Sequence, residues 1–157
     1  MRILGIDPGT GILGFGVIDV AANGSFQLVD AGVIRTPVKE DDAVRLVTIF
    51  EELQDIITAN KPSVMSVEKL FFSKNVTTAM TVSQARGVVL LLGQQNGLEL
   101  YEYNPMQIKQ AITGYGKADK KQMQEMVRTI LRLKEVPKPD DAADALAAAI
   151  TCAMSLK

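Results

Sequence analysis

Histidine is absent from all 157 residues, and cysteine occurs once, at Cys152. Without histidine the chain cannot build a Ser-His-Asp triad, a Cys-His nucleophile pair or an imidazole-ligated metal site. A lone cysteine excludes an intramolecular disulfide and a thiolate zinc site, and its place in an Ala-rich helical run points to a buried structural thiol. Any hydrolytic chemistry must therefore rest on carboxylates or lysines. Internal repeats, low-complexity tracts and any apolar run near the roughly 20 residues of a membrane span are also missing. The opening MRILGID reads straight into a strand and lacks the basic stretch, apolar segment and small-residue cleavage site of a signal peptide. The expectation is a soluble, cytoplasmic chain. Its length suits a single domain over residues 1–157, with a core that needs no disulfide or metal staple.

The net charge of −1 looks ill suited to a nucleic-acid ligand. The charge is unevenly spread, however. Residues 1–60 carry 4 basic and 9 acidic residues, residues 61–139 carry 12 and 6, and residues 140–157 carry 1 and 3. The middle of the chain is thus basic. Neutralising four carboxylates with metal would leave the remainder at +3, so a pI near 5.5 does not exclude a polyanionic ligand.

Three segments rich in Ile, Val, Leu and Phe, at 2–7, 13–20 and 26–35, are separated by PGTG and AANGS, which is turn chemistry. They predict an antiparallel meander. Apolar residues at Ala43, Leu46, Val47, Phe50, Leu53 and Ile57 follow the spacing of one helical face and predict an amphipathic helix over 41–60. SVMSVE then reads as a buried central strand ending on Glu68. A second helical pattern covers 76–95, where the interior glycines Gly87 and Gly93 suggest close packing, and LELYEY at 98–103 predicts a fifth strand. Asn104-Pro105 opens a helix that GYGKA ends, Asp119 caps another running through Leu133, and a last helix starts at Asp140 or Asp141. This order resembles that of RNase H-like α/β folds, with a five-stranded mixed sheet flanked by helices on both faces.

Asp7 closes the first strand and the chain turns away at once through Pro8-Gly9-Thr10-Gly11, so its carboxylate stands at a strand end; a hydrogen-bonded turn aspartate is the alternative. Glu68 ends an otherwise apolar strand, where an unpaired charge is costly unless a cation neutralises it or it reaches the surface. Asp141 and Asp144, three residues apart at a helix start, project from one face, and Asp140 beside them reads as the helix cap. Four carboxylates without histidine suit a hard ion such as Mg²⁺ or Mn²⁺, and paired ions suit in-line displacement at phosphorus. The chemistry so inferred is phosphodiester hydrolysis.

GIDPGT at 5–10, the strand-ending Glu68 and DAADALA at 141–147 resemble the RuvC-type Holliday junction resolvases, as do SQARGV at 83–88 and MQIKQAITGYGKADKKQM at 106–123. The resemblance spans nearly the whole chain. It implies that Asp7, Glu68, Asp141 and Asp144 ligate two Mg²⁺ ions in a crossover junction endonuclease of recombination and repair. It implies further that Lys109 and Lys120 are functional lysines, Lys120 adding positive charge near the phosphate, and that Phe71 engages a base near the crossover. Solvated helix faces would account equally for two lysines, and core packing for a phenylalanine; Phe72 is read as core. A four-way junction is two-fold symmetric, so a homodimer is expected, with VVLLLG at 88–93 as its interface, and the resemblance adds RuvA and RuvB as partners. Rival readings are an actin-like sugar kinase or chaperone ATPase, a non-catalytic junction binder and an RNA/DNA-hybrid hydrolase. The kinase reading needs a second domain and a second phosphate loop, which are not evident in this sequence.

Overall fold

The computed structural model describes residues 1–69 and 76–156. Strands β1 (Arg2–Asp7), β2 (Ile12–Val20) and β3 (Phe26–Arg35) form the antiparallel meander. After helix α1 (Asp42–Asn60), strand β4 (Val64–Glu68) joins β1 in parallel; after α2 (Val76–Gln95), strand β5 (Glu99–Tyr103) joins β4 in parallel. The remaining elements are α3 (Pro105–Thr113), α4 (Lys120–Ile130) and α5 (Asp140–Ser155), and the sheet order is β3-β2-β1-β4-β5. The expected mixed five-stranded sheet is what forms.

Strand periodicity sorts side chains between two cores. Leu4, Ile6, Leu13, Phe15, Val17, Met65 and Val67 meet α1 and α2, where Ile49, Leu53 and Ile57 form one stripe of α1. Ile3, Ile18 and Val64 point to the opposite face and meet α3, α4 and α5. Because both faces are covered, β1 is apolar almost throughout, the mark of a central strand. Among the described residues α2 alone is long and apolar enough to cross a membrane by length and composition, contrary to the sequence reading. Here it docks on the sheet through Ala85, Val89 and Leu92. Its two interior glycines differ: a Cβ at Gly93 would meet Leu100 and Met65, as close packing requires, whereas Gly87 faces open space.

The expected caps of α3 and α4 are present as reciprocal capping boxes, Asn104 with Gln107 and Asp119 with Gln122. Helix α4 stops three residues short of the predicted Leu133. Leu133 N–H bonds to the Arg128 carbonyl and Arg132 N–H to that of Thr129, a Schellman closure with Arg132 in the left-handed region at φ 54°. Leu133 still packs on the core after the helix has ended, which is why the apolar spacing overruns it. At α5 the sequence reading needs correction. Pro139 occupies the cap position and no side chain caps the helix, so Asp140 is its first residue rather than its cap.

Helix α5 lies almost backbone to backbone on the sheet. Ala142, Ala143, Ala145, Ala147, Ala148 and Ala149 are all buried, and the strand residues beneath are small. A Cβ at Gly5 would stand 2.0 Å from the Ala145 carbonyl oxygen, and one at Gly14 2.0 Å from that of Asp141. Ser66 adds a hydroxyl bond of 2.7 Å to the Ala148 carbonyl. Gly5→Ala should therefore force the helix off the sheet, at a cost of about 1–3 kcal/mol or more. Urea denaturation checks this, and unchanged stability would contradict so close an approach.

Candidate active site

Asp7 and Glu68 are the last residues of two adjacent parallel strands, with Ile6 opposite Val67. Both lie at the same end of the sheet, and alternation places both on the α5 face, in line with Ile3-Gly5 and Val64-Ser66. On the other side of β1, Asp7 is opposite Gly14, the residue whose missing side chain admits Asp141. The helix start is thereby brought over the strand ends. Asp144, one turn further along α5, shares with Glu68 a cleft of about 280 Å³ whose walls include Lys109 of α3 and Lys120 of α4, over Ile108 and Met123.

All four carboxylates are half-buried. Burial and neighbouring like charges both disfavour the ionised form of a carboxyl group, and Asp7, Glu68 and Asp144 are shifted accordingly. Burial, reinforced by Glu68, Asp144 and Asp141 and opposed by Lys120, pushes Asp7 up to about 8. Burial and Asp144 push Glu68 up to about 7, against the effects of a hydrogen bond with Asp7 and of Lys109. Asp144 is raised by burial, with Lys120 opposing and Asp141 adding to the rise.

Lys120 Nζ stands 3.2 Å from Asp140 Oδ2 and 3.6 Å from Asp144 Oδ2. Burial alone would lower its pKa, but Asp140, Asp144 and Asp141 outweigh that and raise it. Asp140 also accepts a hydrogen bond of 2.9 Å from Gln124, and it is held below the usual carboxylate range by the bonds from Lys120 and Gln124. This positioning role is absent from the sequence reading. The spacing of Lys120 and Gln124, four apart on one helical face, is the signal that carried it.

The structure thus brings together Asp7, Glu68, Asp141, Asp144, Lys109 and Lys120. Phe71, Phe72 and Lys74 lie outside the described residues. Among the described residues no three acidic side chains are gathered tightly enough to hold one ion as they stand. The donor set itself fits hard divalent ions: oxygen ligands only, half-buried, with two carboxyls that hold protons where a cation is lacking.

Asp7 and Glu68 bind protons more tightly in the folded protein than in the unfolded chain, where their pKa values are near 4. Their stabilising contribution is complete below that value and lost as pH rises through about 7 and 8. The metal-free protein should therefore melt at a lower temperature at about pH 8.5 than at about pH 6. Asp7→Asn should remove most of that difference in a thermal melt, and a wild-type melting temperature that does not fall over this interval would refute the assignment.

The family model for the crossover junction endodeoxyribonuclease RuvC matches residues 3–152. A crossover junction endodeoxyribonuclease RuvC from Heliobacterium modesticaldum is 56% identical over 156 residues, covering 99% of this chain and 96% of the relative. Its counterpart from Brevibacillus brevis is 58% identical over 151 residues, covering 96% and 90%. The structure of Thermus thermophilus RuvC in complex with a Holliday junction substrate superposes with a TM-score of 0.94 at 38% identity, over 99% of this chain and 94% of that one. On these matches, and with its carboxylates gathered at the strand ends beneath α5, the chain belongs to the RuvC family of crossover junction endodeoxyribonucleases.

Proposed function

We propose that the protein is a divalent-metal-dependent endonuclease that resolves four-way DNA junctions by paired, symmetrical phosphodiester hydrolysis in recombination and repair. The observation that carries the reading is the convergence of Asp7 and Glu68 from parallel strand ends with Asp141 and Asp144 from α5, where Glu68 and Asp144 share one cleft with Lys109 and Lys120. The Thermus thermophilus relative described with a Holliday junction supports the choice of substrate.

Asp7, Asp141 and Asp144 would hold one Mg²⁺ or Mn²⁺ ion, and Asp7 with Glu68 a second. Bound ions would supply an activated water and neutralise charge on the leaving 3′-oxygen. The chain's own contribution is orientation. Strand ends and a helix packed on glycine hold the carboxylates in place without long flexible connections, as a site needing sub-ångström placement requires. Lys120, held by Asp140, offers its ammonium group beside Asp144 to a phosphate oxygen, and Lys109 lines the same cleft near Glu68. Both attract a polyanion by charge alone. Phe71 is assigned to base contact near the crossover by family resemblance.

Two incisions on a two-fold junction require two sites, so the working unit is a homodimer, and RuvA and RuvB are its expected partners. The outer face of α2 supports the dimer. Within 88–93, Val89, Leu92 and Gly93 belong to the core, so the expected interface narrows to the outward residues; Leu91 is 51% and Met80 63% exposed. Val44 and Val47 of the adjoining α1 are exposed as well. Exposed apolar side chains on two helices packed against each other fit a subunit contact.

Asp7→Asn should bind junction DNA normally in a gel-shift assay and fail to cut it with Mg²⁺; undiminished cleavage would remove Asp7 from the site. A panel of four-way junction, duplex and RNA/DNA hybrid should show cutting of the junction alone, whereas hybrid cleavage without junction cleavage would overturn the substrate. Leu91→Glu should convert the dimer to a monomer in sedimentation and depress paired incision at least about tenfold. A persisting dimer would move the interface elsewhere.

A further inference from the structure

Asp7 ends β1, and the chain leaves it at once through the turn at residues 8–11. Two hydrogen bonds from Thr36 close on that turn. Thr36, just beyond β3, donates its hydroxyl to the Thr10 carbonyl at 2.5 Å and its backbone N–H to the Gly11 carbonyl at 3.1 Å. The same Thr36 hydroxyl accepts a bond of 2.9 Å from Nε of Arg45, near the start of α1. A hydroxyl has a single proton, and here it is spent on Thr10, so the guanidinium must be the donor to Thr36 and the relay has a fixed direction.

The relay is enclosed. Thr10 and Thr36 are each 6% exposed, and a Cβ at Gly11 would come within 3.3 Å of Arg45 Nη2, so the guanidinium lies against the turn. Arg45 makes no ion pair among the described residues, and the acidic Glu40, Asp41 and Asp42 nearby in sequence disfavour a phosphate there. Its hydrogen bond into the relay is therefore its evident use. The hydroxyl of Thr10 has no partner among the described residues, so that side chain does nothing to hold the turn. The bonds from Thr36 therefore add to the β1–β2 pairing that closes the turn at Asp7 and Gly14.

We propose that Thr36 and Arg45 are positioning residues for Asp7: a brace from the end of β3 and the start of α1 that fixes the turn and so the direction of the Asp7 carboxylate. The proposal rests on the reading of Asp7 as a metal ligand. Groups behind a ligand commonly change metal affinity by about 10–100-fold when removed.

Thr36→Val keeps the side-chain shape and deletes the hydroxyl, Thr36→Ser keeps the hydroxyl, and Arg45→Met removes the donor. Two measurements without DNA apply: amide hydrogen exchange at residues 9–12 in the metal-free protein, and Mn²⁺ titration calorimetry. Thr36→Val should accelerate exchange and weaken Mn²⁺ binding by about tenfold, with Arg45→Met shifting both the same way and Thr36→Ser restoring wild-type behaviour. Wild-type exchange and affinity in folded Thr36→Val, or a Thr36→Ser variant as impaired as the valine, would overturn the brace. If Thr36→Val does not fold, Arg45→Met decides by the same measurements. Wild-type protein that binds no Mn²⁺ would overturn the metal reading, and the exchange rates would still decide whether the brace exists.

Discussion

The site depends on how closely α5 approaches the sheet. A helix usually packs on a sheet through a layer of side chains, but where α5 crosses Gly5 and Gly14 that layer is missing, while Leu146 and Ile150 still fill it alongside. Gly5 and Gly14 leave room for the carbonyls of Ala145 and Asp141, and Ser66 bonds to Ala148. The missing layer is what brings a helix-borne aspartate to the level of a strand-end aspartate. A helix held one methyl group further out would separate the two halves of the carboxylate set.

This arrangement concentrates negative charge where water is partly excluded, which opposes folding unless something offsets it. Two responses are visible. Asp7 and Glu68 hold protons well above the usual carboxylate range, chiefly through burial. Lys120 approaches from α4 and is shared between Asp140 and Asp144. Divalent cations would replace the protons, and the proposed catalytic competence and the electrostatic strain then have one origin. The cleft-facing lysine balances the carboxylates and would attract a phosphate by the same charge.

Legibility in the sequence varied by element for physical reasons. The meander, α1 and the helix caps at Asn104 and Asp119 were readable because strand alternation, helical spacing and caps are set by residues a few positions apart. The end of α4 was not, because Leu133 keeps its place in the core by a Schellman turn after the helical bonds have ceased. The start of α5 was displaced by one residue, since Asp140 and Pro139 are both plausible at a cap and the decision falls to Lys120 and Gln124, which draw the Asp140 side chain to α4. The apolar stretch at 88–93 looked uniform in sequence, yet the sheet claims Val89 and Leu92 and leaves Leu91 outside.

By itself the sequence determined the chemistry available to this protein. Lacking histidine and holding one buried cysteine, it is left with carboxylates as its ligands for a metal, and it sets acids at strand and helix ends. Tertiary structure alone decided which acids meet. Asp7, Glu68 and Asp144 are far apart along the chain; Glu68 reaches Asp7 because β4 inserts beside β1, and Asp144 because α5 settles against Gly14, neither of which is encoded in local spacing. The same is true of Thr36 and Arg45. Their convergence on the turn behind Asp7 follows from the pairing of β3 with β2 and from where α1 begins, because buried hydrogen bonds between distant segments exist only once the sheet has brought those segments together.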